Sequence, residues 1–167
     1  DQDTIQYRTF SKLHQEYDLI FNEDGCGEAA DLVCLRDIDD DTIQLCLVHC
    51  NGAHGGQVSQ DIRNFYTVCG QAQNSIIAKH AGLPTLYHDL KRRHEAWAHE
   101  GKSRFLKGDM TLLSYFKEKA RRTKLEFEML LVQPGASIAT VTDDALRLLA
   151  TTELYLTKTT QAKFRVV

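Results

Sequence analysis

Asp31 heads the apolar run Leu32-Val33-Cys34-Leu35, and the tripeptide His49-Cys50-Asn51 ends a second run that begins at Thr42. Between them lies an acidic turn, Asp37 to Asp41. Side chains alternate along a strand, so Asp31, Val33 and Leu35 share one face, as do Leu45, Leu47, His49 and Asn51. A hairpin closed at 37–41 brings Asp31, His49 and Asn51 together at one sheet edge. Such a set could do hydrolytic chemistry. The carboxylate suits a hard cation, the imidazole a softer one or a proton, and the carboxamide can position water or phosphate. Gln71 lies mid-way along a helical pattern, where burial demands a partner. Each residue also has a structural reading. Asp31 could bond a neighbouring amide, His49 sit satisfied in the core, Asn51 turn the chain ahead of Gly52, Gln71 tie helix to sheet, and Glu28 be a solvated turn acid.

The elements that must position these residues are legible as periods. Ile5, Phe10 and Leu13 predict a helix over residues 3–16. Tyr17–Phe21 reads as a strand closed by the turn signal Glu23-Asp24-Gly25, and Ala29–Arg36 and Thr42–Cys50 as two more. Residues 52–56, "GAHGG", read as a loop. Val58, Ile62, Phe65, Cys69, Ala72 and Ile76 predict one long helix to Gly82, and Pro84 opens another to about Glu100. A helix over Leu112–Arg122, a strand over Phe127–Val132, a helix from Thr142 to about Tyr155 and a strand at Phe164–Val167 complete the order. Thr142 and Asp143 are its capping candidates. Three strands followed by helices predict an α/β sandwich with a mixed sheet.

The chain has 167 residues, 43% hydrophobic and 26% charged, which suits a single domain spanning 1–167. Its net charge of −3 argues against a broad nucleic-acid-coating surface and leaves room for a local basic groove. No apolar stretch approaches the ~18 residues of a membrane span. The chain opens at Asp1 rather than Met, which points to a piece of a larger protein. Five cysteines, an odd number with no CxxC pair, point to a reduced, cytoplasmic setting.

The motif order resembles the PD-(D/E)XK nuclease superfamily, whose restriction-endonuclease-like core runs αβββαβ in a three-layer α/β/α sandwich. Gly27-Glu28-Ala29-Ala30-Asp31 resembles its Gly-x-x-x-Asp element, His49-Cys50-Asn51 occupies its acid-x-Lys position, and Gln71 resembles a helix glutamine of the exonuclease-like branch. The likeness covers Thr4 to about His80. The segments "LEFEMLLVQPGASIA" and "LRLLATTELYLTKT" are similar to bacterial domains appended to large helicases. The resemblance implies a divalent metal, Mg²⁺ or Mn²⁺, held by Asp31, His49 or Glu28 and the Cys50 backbone carbonyl. It implies DNA as substrate, Gln71 orienting water or ligand, and a helicase-containing parent. Two departures matter. His49 stands in place of an acid and favours softer metals. Asn51 stands in place of the lysine and carries no charge, so the site could be disabled. The alternatives are a non-cutting nucleic-acid-binding module and a protein-interaction domain.

The basic residues Arg92, Arg93, Lys102, Arg104, Lys107, Arg121 and Arg122 are candidate phosphate contacts, against the ordinary reading of solvated helix faces. Tyr87 and Trp97 could stack on bases, with core packing the alternative. A zinc site from Cys26, His49, Cys50 and His54 lacks a CxxC or HxxxH frame. A Cys50–His54 nucleophilic pair lacks an orienting third group. The acidic turn lacks the EF-hand glycine and closing glutamate, and reads as solvated.

Overall fold

The predicted hairpin forms, and the rest of the sheet is built outward from it. The computed structural model describes residues 5–23, 25, 28–51, 62–134, 139 and 141–167. Cys26, Gly27, the loop at 52–56 with His54, and Val58 and Asp61 lie outside the described residues, as do Thr4 and Gly135. Strands β1 (Leu19–Asn22), β2 (Leu32–Asp39) and β3 (Thr42–Cys50) form an antiparallel meander. Leu35 faces Leu45 and Val33 faces Leu47, with a register shift between Asp37 and Asp39. Strand β5 (Lys124–Val132) joins β3 in parallel, and β6 (Lys163–Val166) joins β5 in parallel. Strand β4 (Phe105–Lys107) pairs antiparallel with β1 at the far edge, so the six-stranded order is β4-β1-β2-β3-β5-β6.

Alternation sorts the strand side chains onto two faces. On one, Cys34, Cys46, Val48, Cys50 and Leu130 pack under α1 (Ile5–Leu13) with Leu13 and Tyr17. On the other, Val33, Leu35, Leu45 and Leu47 pack with four helices: α2 (Ile62–Asn74), α3 (Ile76–Ala98), α4 (Met110–Lys119) and α5 (Asp143–Thr160). The protein is thus an α/β sandwich around a mixed sheet. Cys34, Cys46, Cys50 and Cys69 are buried, and burial pushes the Cys34, Cys46 and Cys69 thiols up. They serve as small apolar fillers.

Several boundaries differ from the periodic reading. The single helix expected through Gly82 breaks at Ser75, whose hydroxyl lies 2.5 Å from the Ala29 carbonyl and 2.9 Å from that of Gln71. Packing against the entry of β2 overrides a continuous apolar stripe. The expected break at Gly82 is also present: inside α3 this residue sits at φ 77°, ψ 169°, two residues before Pro84. Strand β2 starts at Leu32, three residues later than the expected Ala29, and runs to Asp39. Strand β4 was not visible as a period. It forms because Asn22 donates to the Arg104 carbonyl at 2.8 Å and Phe105 meets Phe21 edge-on at 5.0 Å. Thr142 caps α5, accepting from the Ala145 amide at 3.3 Å.

The acidic turn is not merely solvated. Lys119 donates to Asp37 Oδ1 at 2.5 Å and to the Asp39 carbonyl at 2.8 Å, and Tyr115 donates to Asp37 Oδ2 at 2.6 Å. Helix α4 thereby holds the closed end of the hairpin.

Gly108 links β4 to α4 at φ 79°, and an added Cβ there would approach Leu112 Cδ2 at 3.1 Å and Leu19 Cγ at 3.3 Å. Left-handed backbone and contact with a buried leucine act together. Gly108→Ala is expected to lower unfolding free energy by about 1–3 kcal/mol, read from the midpoint of a chemical denaturation curve.

Candidate active site

Three strand ends converge at the open end of the meander. The Glu23 amide donates to the Asp31 carbonyl at 3.0 Å, and the Asp31 amide to the Val48 carbonyl at 3.0 Å. The Asp31 carboxylate crosses to β3, where Oδ2 accepts from the Cys50 amide at 2.7 Å. At 6% exposure, Asp31 is a buried acid that fastens the entry of β2 to the exit of β3. The amide-bonding and site readings of this residue are therefore compatible.

His49 continues the Leu45–Leu47 alternation onto the face carrying α2 and α3, and is 2% exposed. Its Nε2 lies 2.8 Å from Ser75 Oγ. The single hydroxyl proton of Ser75 goes to a backbone carbonyl, of Ala29 or Gln71, so Oγ accepts and Nε2 carries the proton. Nδ1 then keeps its lone pair, and among the described residues it has no hydrogen-bond partner. Burial holds the imidazole pKa down at about 4, so the ring is neutral.

Asn51 turns the chain toward α2. Its amide donates to the Val132 carbonyl at 3.0 Å, and Nδ2 donates to the Asn64 carbonyl at 2.9 Å and to Gln133 Oε1 at 2.7 Å. Both side-chain amide protons are therefore used within the fold. Cys50 faces the opposite side, its Sγ 3.7 Å from Thr9 Oγ1. His49 and Cys50 thus cannot share a zinc ion through their side chains, and the other two expected ligands lie outside the described residues.

A cleft of about 490 Å³ opens beside these ends, lined by His49, Gln71 and Glu28 among others. Glu28 accepts from the Gly25 amide. The lining also includes Glu23, which sequence reasoning assigned to a turn. Glu23 is 2% exposed, and its Oε1 stands 3.6 Å from Arg93 Nε. Its Oε2 has no hydrogen-bond partner among the described residues. Burial raises its pKa to about 7, against the opposing pull of backbone amides and Arg93. A signal for it existed, since Glu23 extends the inward alternation of Leu19 and Phe21 one step past the strand.

The expected phosphate contacts are not gathered at this cleft; its described lining contains three acids, Glu23, Glu28 and Asp89, and no lysine or arginine. Arg93, Arg104 and Lys107 are held inside the fold instead. Arg93 pairs with Glu23. Arg104, 8% exposed, lies 4.1 Å over the Trp97 ring and donates to the Asn22 carbonyl at 3.1 Å. Lys107 donates to the carbonyls of His14 and Tyr17, at 2.8 and 2.6 Å. Arg92 pairs with Asp89, Lys102 with Glu100 and Arg121 with Glu118, all on the surface, where Arg122 is also exposed.

Glu23 and His49 give opposing pH dependences. The raised Glu23 pKa adds stability that is complete below pH about 4.5 and lost as pH rises to about 7. The lowered His49 pKa adds stability present above pH about 6.5 and lost as pH falls to about 4. Each swing is on the order of 3 kcal/mol, and in the parent protein they nearly cancel between pH 4.5 and 6.5. Glu23→Gln should unmask a loss of stability toward acid, and His49→Asn a loss toward neutral pH. Denaturant midpoints measured across pH 4–7.5 check both slopes. Comparisons with protein-family models, curated proteins and solved structures find no match to this chain.

Proposed function

We propose that the chain is a nuclease-type domain that uses a divalent metal to hydrolyse phosphodiester bonds in DNA, weakened by Asn51. The observation that carries this reading is the 2.7 Å bond from the Cys50 amide to the Asp31 carboxylate. It joins the strand-entry acid to the His-x-Asn tripeptide beside a cleft shared by His49, Glu28 and Gln71. The β1–β3 meander followed by a strand parallel to β3 supports the restriction-endonuclease-like core that the motif resemblance implies. That resemblance also supports a helicase-bearing parent protein, and the odd cysteine count without a CxxC pair supports a cytoplasmic one.

The donor types fit a divalent ion. Carboxylates of Asp31 and Glu28, the Cys50 carbonyl and the bare Nδ1 of His49 suit Mn²⁺ better than Mg²⁺. Among the described residues no three His, Cys, Asp or Glu side chains cluster closely enough to hold an ion. Backbone and water would therefore fill part of its shell. When bound, the ion neutralises phosphate charge and acidifies water. The chain's own residues do the rest. Ser75 fixes the His49 tautomer, the Cys50 amide fixes Asp31, and the Gln71 carboxamide orients water or phosphate. The described lining offers a phosphodiester no lysine or arginine, so in this reading a cation would accompany the substrate.

A second reading, a binding module that does not cut, is favoured by one observation. Both Asn51 amide protons are engaged by Asn64 and Gln133, leaving no donor or charge for the phosphate. Plasmid cleavage in Mn²⁺ separates the readings. The parent should cut slowly, and Asp31→Asn, which keeps an acceptor for the Cys50 amide, should not cut. Asn51→Lys should raise the rate about 10²-fold, the scale of restoring one charge-stabilising donor. If all three proteins hold DNA and none cuts, the binding module stands.

A further inference from the structure

We propose that the cleft beside the strand ends holds one unpaired nucleobase, so that the chain engages single-stranded rather than duplex nucleic acid. The inference rests on the nuclease-type reading only for the class of ligand. Four features carry it. The cleft, about 490 Å³, has the size of a small-ligand pocket. One wall is apolar, formed by Ile77, Ala78 and Ala81 of α3, and Ile77 is 74% exposed at its rim. An isoleucine so placed offers an apolar contact to a flat base face.

The second wall is polar in a particular way. Gln71 and Asn74 both line the cleft, and neither carboxamide has a hydrogen-bond partner among the described residues. Each presents one acceptor and two N–H donors, the pattern that pairs two-fold with a base edge. An edge and a face are available together only when a base is unpaired and unstacked. The fourth feature is charge. The described lining of the cleft carries Glu23 beside Arg93, Asp89 beside Arg92, Glu28, and no lysine or arginine, so it offers acceptors to N–H-rich base edges and no cation to the backbone. A duplex tracker needs the reverse arrangement, cations along the phosphates.

The test is fluorescence anisotropy with a labelled mixed-sequence DNA strand, its RNA counterpart and the blunt DNA duplex, in Ca²⁺ to suppress cutting. The parent should hold the single strand at least about tenfold more tightly than the duplex, and the tighter of the DNA and RNA arms identifies the source of the base. Ile77→Ser and Asn74→Ala should each weaken single-strand binding about tenfold, the scale of one lost base contact, with duplex binding and the unfolding midpoint unchanged. Equal affinity for duplex and single strand overturns the inference, as do two variants that bind like the parent. A chain that holds single strands in this way and cuts nothing loses the nuclease reading and keeps this one. A chain that cuts duplex with no single-strand preference does the opposite.

Discussion

The constraint on which the rest of this structure depends is the burial of the Asp31 carboxylate at the end of a sheet. A buried acid with poor partners costs several kcal/mol, so the chain must supply donors. It does so with the Cys50 amide, at the point where β3 stops pairing. The backbone of Asp31 is used as well, its carbonyl by Glu23 and its amide by Val48. One residue therefore sets where β1 ends, where β2 begins and where β3 lets go. Glu23 and His49 line one cleft as a consequence, while Asn51 turns away to Asn64 and Gln133.

The broken helix is the second half of the same arrangement. A continuous helix from Ile62 would carry its apolar stripe past the sheet end without bonding the irregular backbone at Ala29. The Ser75 hydroxyl satisfies that carbonyl or its own helix, and accepts from His49. A side-chain hydroxyl that bends a helix toward an i−4 carbonyl is a known local competitor of helical pairing. Here it also fixes which nitrogen of His49 is bare. The sheet's other face balances its buried charge differently. Glu128 accepts from Tyr17 at 3.0 Å and Gln44 at 2.6 Å, and meets Arg165 at 3.1 Å. That cluster satisfies its carboxylate from three sides, whereas among the described residues the one at the strand ends leaves Glu23 Oε2 and His49 Nδ1 without a hydrogen-bond partner.

What the sequence disclosed follows from the range of the interactions involved. The β2–β3 hairpin was legible because period-two alternation and an acidic turn are local, and β3 begins and ends where its apolar run does. Asp31 and His49 could be placed at one sheet end from alternation alone. Ser75 could be seen as part of a polar helix stripe with Asn64 and Gln71 but not as a helix break, and Gln133 and β4 could not be foreseen, since each is defined by partners 82 and about 85 residues away. Glu23 was hidden by its neighbours: Asp24-Gly25 announces a turn, and turn acids are usually wet. Basic runs misled for the same reason in reverse. Lys102 to Lys107 looks like a solvated strip, yet Arg104 and Lys107 are held by Trp97 and by carbonyls of distant segments.

The charge arrangement decides what this scaffold can bind. Arginines packed on aromatic rings or against buried acids contribute to the fold and give little to a ligand, since releasing them would strand their partners. The cleft is left with acids, carboxamides, a neutral imidazole and an apolar wall. Under the proposed reading a phosphodiester would need a cation beside these acids. Base edges need no such help. Under the proposed reading, base recognition would rest on α2 and α3 and ion chemistry on His49 and Glu28, so the two demands on one small cleft are separable.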